Sequence, residues 1–205
     1  MKPAPPTTAQ FGAYQNAYDY FNETLFENSL NPCLLNFSRK SKALGFFASE
    51  RWSDGTHYTH EISLNPDLLE RPLEDIFSTL VHEMAHQWQQ DFGTPSKGGY
   101  HNREWSDKMI AIGLIPSDIA QPGGKKTGSS MSHYIDQAGA FKRVFEATPD
   151  DLRLPWLAGP GMQRQPSRNK VVYQCPECQA KIWGKPDLMV LCNTHDDLIP
   201  FERVA

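Results

Sequence analysis

Residues 80–90 read LVHEMAHQWQQ. Two histidines, His82 and His86, stand four apart with Glu83 beside the first, inside a run that otherwise has the periodicity of a buried helix. At about 100° per residue, His86 lies roughly 40° around the helix from His82, so both imidazoles share one face. Phe77, Leu80, Met84 and Trp88 fall together on the opposite face. The spacing therefore predicts a helix with an apolar back for a core, a front that bears two nitrogen ligands, and Glu83 on its flank. H-E-x-x-H chemistry needs this arrangement: two neutral imidazoles on one metal ion, and a carboxylate within reach of water in an open coordination position. Zinc lowers the pKa of such a water to around 7. Glu83 is then placed to take its proton and pass it to a leaving amine.

Catalytic zinc normally keeps three protein ligands plus water. His101 is the first choice for the third ligand. It follows the glycine-rich loop TPSKGGYHN and stands just before REWSDKMIAIGL, which reads as the next helix. Glu104 and Asp107 on that helix are weaker competitors, and His133 weaker still. His57 and His60 read as ordinary residues of a strand hairpin.

Working outward, Tyr14, Tyr18, Phe21, Leu25 and Phe26 recur at spacings of three and four, which predicts a helix from Phe11 that ends by Pro32. Residues 1–10, rich in Pro and Thr, are expected to be disordered. CLLNFS, ALGFFASERWS and HEISLNP read as three short strands, with SDGTH as a turn. No long helix separates them, which favours an antiparallel meander. Pro72 suits the first turn of the H-E-x-x-H helix, Glu74 and Asp75 lie near its positive end, and Gly93 is its stop. Gly113 and Pro116 close the following helix. Beyond it, QPGGKKTGSS reads as a loop, HYIDQAGAFKRVFEAT holds a strand or a short helix, and AGPGMQRQPSRN reads as a linker.

The chain has 205 residues, with 39% hydrophobic and 11% aromatic content, enough for one good core plus a small appendage. No apolar run approaches the ~20 residues that span a bilayer. The first residues lack the apolar stretch of a secretory signal, so the expectation is a cytoplasmic protein without membrane contact. Net charge is −4, but unevenly distributed: residues 1–120 are acidic and residues 121–185 basic. The chain as a whole is no general polyanion binder, although its basic section could touch phosphates. Three of the four cysteines fall in residues 175–192, and such clustering argues for metal rather than disulfides. Cys33 stands alone and reads as a small buried hydrophobe.

The runs ISLNPDLLERP, TLVHEMAHQWQQ and YHNREWSDKMIAIGL together resemble the metalloprotease domain of the SprT-like (Spartan) family, over about residues 12–115. The resemblance implies a zinc-dependent peptidase with a zincin-like core. His82, His86 and His101 would hold the catalytic zinc, and Glu83 would be the catalytic base. It also implies, by analogy with the best-known branch, that protein substrates trapped on DNA belong to its range. A zinc-ribbon-like segment often follows the domain in this family. Here its ligands would be Cys175, Cys178, Cys192 and His195, holding a second, structural zinc; the departure is His195, where a cysteine is expected.

The expected class is thus α+β: helices plus a small antiparallel sheet in a zincin-like metalloprotease core, followed by a small β-rich module. The expected domains are a SprT-like domain over 11–120, a connecting or covering segment over 121–170, and a zinc-ribbon-like module over 171–205. The leading functional expectation is an endopeptidase acting on protein substrates, with DNA contacted through residues 121–185. The alternatives are a nucleic-acid-binding zinc-ribbon adaptor with a non-catalytic metal site, and an interaction protein whose metal only ties helices together.

Overall fold

The computed structural model describes residues 4–39, 43–157 and 170–204. Its elements run α1 (Pro6–Phe26), β1 (Leu34–Phe37), β2 (Gly45–Ser53), β3 (Tyr58–Leu64), α2 (Leu73–Phe92), α3 (Arg103–Ala111), β4 (Leu114–Ser117), β5 (Ser132–Ile135), α4 (Ala140–Glu146), β6 (Val171–Gln174), β7 (Lys181–Gly184), β8 (Leu191–Cys192), β9 (Ile199–Pro200) and β10 (Glu202–Arg203). The fold is mixed α+β. Two compact units divide it, Met1–Gly159 and Pro160–Ala205. Among the described residues no helix is long and apolar enough to cross a membrane.

In the first unit α2 is the central support. It buries Ile76, Phe77, Leu80, Val81 and Met84, all at most 3% exposed, as the apolar back predicts. The α1 helix lays Tyr14, Tyr18 and Phe21 against the same core. Phe21 meets Phe77 edge-on with ring centroids 5.3 Å apart and stacks on Phe141 of α4 at 5.9 Å. Such aromatic contacts add to the burial of large rings.

The helix α1 begins earlier than expected, so residues 6–10 are ordered; residues 1–3 lie outside the described residues. Pro6 fits the first turn because its missing N–H would have no helical partner there. Gln10 then donates to the Trp156 carbonyl and accepts from the Trp156 N–H, at 3.0 and 2.9 Å. The helix also ends well before Pro32, at Glu27 and Asn28, both in the left-handed region with φ of 56° and 54°. Asn22 locks this exit, accepting from the Leu30 N–H and donating to the Leu30 carbonyl.

The sheet order is β1-β3-β2, with β3 antiparallel to β2 but parallel to β1. The sheet is therefore mixed, not the antiparallel meander expected from the sequence. That expectation assumed that each strand pairs with the next. Instead β1 skips β2, and β2 with its flanking loops supplies the long connection between β1 and β3 that parallel pairing requires. The centre goes to β3, whose Ile62 and Leu64 are 0% and 2% exposed. A register irregularity between Ala48 and Trp52 bends β2.

The region after α3 departs most from expectation. Gly113 ends the helix in the left-handed region, φ 86°, and a Cβ there would stand 2.7 Å from the Ala140 nitrogen. Pro116, expected to terminate a helix, lies within β4, which pairs antiparallel with β5. HYIDQAGAFKRVFEAT thus contributes both alternatives, part of a strand and a helix. The stretch AGPGMQRQPSRN lies outside the described residues.

The second unit is small. Strands β10, β6 and β7 form one antiparallel sheet, and β8 pairs with β9. Its buried residues are Val171, Tyr173, Cys175 and Cys192.

Candidate metal centre

The cleft-facing side of α2 carries His82 and His86 one turn apart, and the loop after α2 returns to set His101 beside them. Glu104 fastens that loop, accepting from Gln89 Nε2 and from the Thr94 N–H, both at 2.7 Å. Its carboxylate lies so close to Gly93 that a side chain there would push the carboxylate out of this hydrogen-bonded position. Asn102 caps α3 by accepting from the Trp105 N–H and also donates to the Thr94 carbonyl. Glu104 is thus committed to the loop, and Asp107 is exposed beside Arg103. Neither competes as a ligand.

One ligand atom from each of His82, His86 and His101 lies within 4.8 Å of the others. The Nε2 atoms of His86 and His101 are 3.1 Å apart. Two ligands on one tetrahedral ion at about 2.0–2.1 Å stand roughly 3.4 Å apart, so the spacing suits a shared metal. The outer nitrogen of His101, Nδ1, donates to the Gly128 carbonyl at 3.1 Å, which leaves Nε2 as a lone pair. Trp105 forms the floor: its ring is fully buried, stacks on His86 at an interplanar angle of 18°, and meets His82 and His101 edge-on.

All these imidazoles are held neutral. Burial pushes His82 well below its ordinary value, and His86, His133 and His101 add to the effect. Burial, then His101, brings His86 down to about 3. Burial also lowers His101, against the Gly128 carbonyl, which raises it. Neutral imidazole is the form that ligates a metal. The donor set, its spacing and its protonation state therefore fit a metal ion.

The depressed values carry a stability consequence for metal-free protein. These rings stay neutral when folded but bind protons when unfolded below about pH 6.5, the ordinary value. The His86 contribution is present in full above pH 6.5 and is lost as the pH falls towards about 3, and lowered His82 and His101 act in the same direction. The melting temperature of chelator-treated protein should therefore drop between pH 7.5 and pH 5; an unchanged value would contradict buried neutral imidazoles.

Glu83 is 6% exposed and lines the same cleft as the three histidines. The cleft has a volume of about 1130 Å³, and residues 43–49 and 129–133 are among those that line it. Gly45 opens β2 close against α2: a Cβ there would be 3.3 Å from Glu83 Oε1 and 3.0 Å from the Ser63 carbonyl oxygen. Sequence reasoning missed Gly45 and Trp105. A glycine inside a strand pattern is a signal of close backbone approach; nothing in the sequence marks Trp105 as the floor. His133 lies beside His82, Nδ1 to Nδ1 at 3.1 Å. His57 is exposed against Asp54, and His60 pairs with Asp91 at 2.9 Å, so both stay outside the group.

In the second unit Cys175, Cys178, Cys192 and His195 form a second group within 4.8 Å. Cys178 and Cys192 Sγ atoms are 3.7 Å apart, and Cys175 Sγ is 3.4 Å from His195 Nε2. Thiolates about 2.3 Å from a tetrahedral ion stand roughly 3.8 Å apart, so this group too suits a metal. All four cysteines of the chain are free thiols. The Ala180 N–H and then the Thr194 hydroxyl bring Cys178 down to about 6, close to the thiolate form at neutral pH. Glu177 holds His195 Nδ1 at 3.2 Å, orienting Nε2 inward. Burial instead pushes the Cys33 thiol up to about 12.

A family model described as the SprT-like family matches residues 14–121. A curated relative, an "Uncharacterized protein in mucB 3'region" of Salmonella typhimurium, is 40% identical over 47 residues, 23% of this chain and 64% of that protein. No solved structure matches. With more than half of the chain covered by the family model, and the histidine group inside the covered span, the chain belongs to the SprT-like family, which is generally linked to metalloprotease-like function.

Proposed function

We propose that the chain is a zinc-dependent endopeptidase of H-E-x-x-H type that cleaves proteins bound or crosslinked to DNA. The observation that carries the reading is the meeting of three neutral imidazoles and a buried carboxylate, Glu83, on the wall of one cleft. His82, His86 and His101 would hold the zinc, whose Lewis acidity supplies an acidified water and a polarised carbonyl. Glu83 takes the proton from the attacking water and delivers it to the leaving amine nitrogen. The outer edge of β2 borders the cleft, so an extended substrate can align there through main-chain hydrogen bonds.

Cys175, Cys178, Cys192 and His195 hold a second, structural zinc in this reading. Cysteines that serve as metal ligands rather than in disulfides agree with a reducing, cytoplasmic setting. Support for DNA as a partner comes from the basic balance of residues 121–185 and from Trp183, 66% exposed on β7 near Lys181 and Lys185. An exposed aromatic ring among cations suits the stacking of single-stranded bases. A pure binding module would have no use for a carboxylate buried against a histidine cluster.

The test is incubation with a protein crosslinked to DNA, with and without added single-stranded DNA. The wild type is expected to shorten the crosslinked protein, and faster when single-stranded DNA is present. An intact crosslink under conditions where both centres hold metal would overturn the substrate assignment.

A further inference from the structure

The strand β5 and the loop before it reach the metal centre twice. Gly128 accepts the Nδ1–H of His101 and exchanges two backbone hydrogen bonds with it, at 2.9 and 3.1 Å. Five residues on, His133 places its Nδ1 3.1 Å from Nδ1 of His82, with ring centroids 5.2 Å apart. His133 is outside the three-ligand group, and its register is set by pairing with Pro116 across the β4–β5 ladder.

Two neutral imidazoles at this distance need one donor and one acceptor. If His82 accepted, its Nε2 would carry the proton and could not ligate. If His82 donates, its Nε2 is a lone pair and faces the ligand role. Metal binding and this hydrogen bond therefore select the same tautomer.

We propose that His133 is a positioning residue of the three-histidine centre, accepting the Nδ1–H of His82 and so presenting the Nε2 lone pair of that ring to the metal. The proposal rests on the reading of His82, His86 and His101 as ligands. It gives residues 128–133 a function: they orient two of the three ligands from outside the coordination sphere. His133 itself then carries its proton on Nε2.

Cobalt(II) titration of the full, reduced, metal-stripped chain tests this without measuring proteolysis. Thiolate-bound cobalt has a near-ultraviolet charge-transfer band that an imidazole site lacks, so the two centres are read separately. His133→Leu removes the acceptor. His133→Gln moves its oxygen out towards the former Nε2 position. Both should bind cobalt about 10–100-fold more weakly at the imidazole site, the usual cost of losing such a partner. His133→Asn sets its Oδ1 near the former Nδ1 position and should restore binding to within about 3-fold of wild type, within the normal scatter of such effects. The thiolate centre should titrate alike in all four proteins.

Asn as weak as Leu would overturn the proposal, because His133 would then be a ligand or simple packing. Leu binding like wild type would overturn it as well. If the Leu variant does not fold, the Asn and Gln pair decides on the same terms. A wild type that shows the thiolate band but no imidazole-site cobalt fails before any substitution is made, and the ligand reading falls together with the proposal.

Discussion

Glu83→Gln is expected to leave the metal content of the chain unchanged and to lower peptide-bond cleavage by about 10²–10⁴-fold, the range of a positioned general base. The substitution changes little except basicity. Gln has the same length and planarity, and the 6%-exposed side chain sits beside Gly45 of β2, so the site keeps its shape. The metal should remain because the ligand group is made of three imidazoles from α2 and the following loop and does not include this carboxylate. The loss should fall on kcat rather than KM, since proton transfer belongs to the transition state and not to substrate binding. Elemental analysis and steady-state kinetics on the same preparation provide the check. Cleavage at the wild-type rate rejects Glu83 as the base, and loss of metal would make it a ligand instead.

Removing metal from the second unit should unfold it while the first stays folded. Its core consists of little beyond Val171 and Tyr173 around the buried thiols of Cys175 and Cys192, and Trp183 and Met189 are 66% and 92% exposed. A unit close to the ~40-residue limit seldom buries enough apolar surface to fold unaided. Structural zinc contributes on the order of 10–16 kcal/mol in finger peptides at neutral pH, more than such a core can supply. A strong chelator with reductant should therefore make amide hydrogens of residues 170–204 exchange rapidly. Those of α2, which rest on an aromatic core, should stay protected. Cys175→Ser should act like the chelator. Protection of 170–204 in metal-free protein would show that the unit holds itself together without metal.

Much of the site was legible because its signal is local. His82, Glu83 and His86 lie within one helical turn and a half, so the 3.6-residue period alone places them on one face with the apolar residues behind. In the second group Cys192 and His195 stand out in the sequence for a similar reason, since they repeat the close spacing of Cys175 and Cys178. The start of α1 was misjudged because composition hid a contact remote in sequence: Gln10 is tied to Trp156. Pro116 was misread because proline tolerates an extended strand as well as it ends a helix.

From its sequence alone this protein's SprT-like family, its α+β class and the approximate extent of its helices could be named, since these follow from motif spacing and from periodicity. Which strand is parallel to which, how Trp105 underlies three imidazoles, and why His133 reaches His82 were settled only in three dimensions. These features depend on contacts between residues tens of positions apart. Such contacts form when packing and hydrogen bonding outweigh the entropy of closing the intervening loops, and that balance leaves no mark in a short window of sequence.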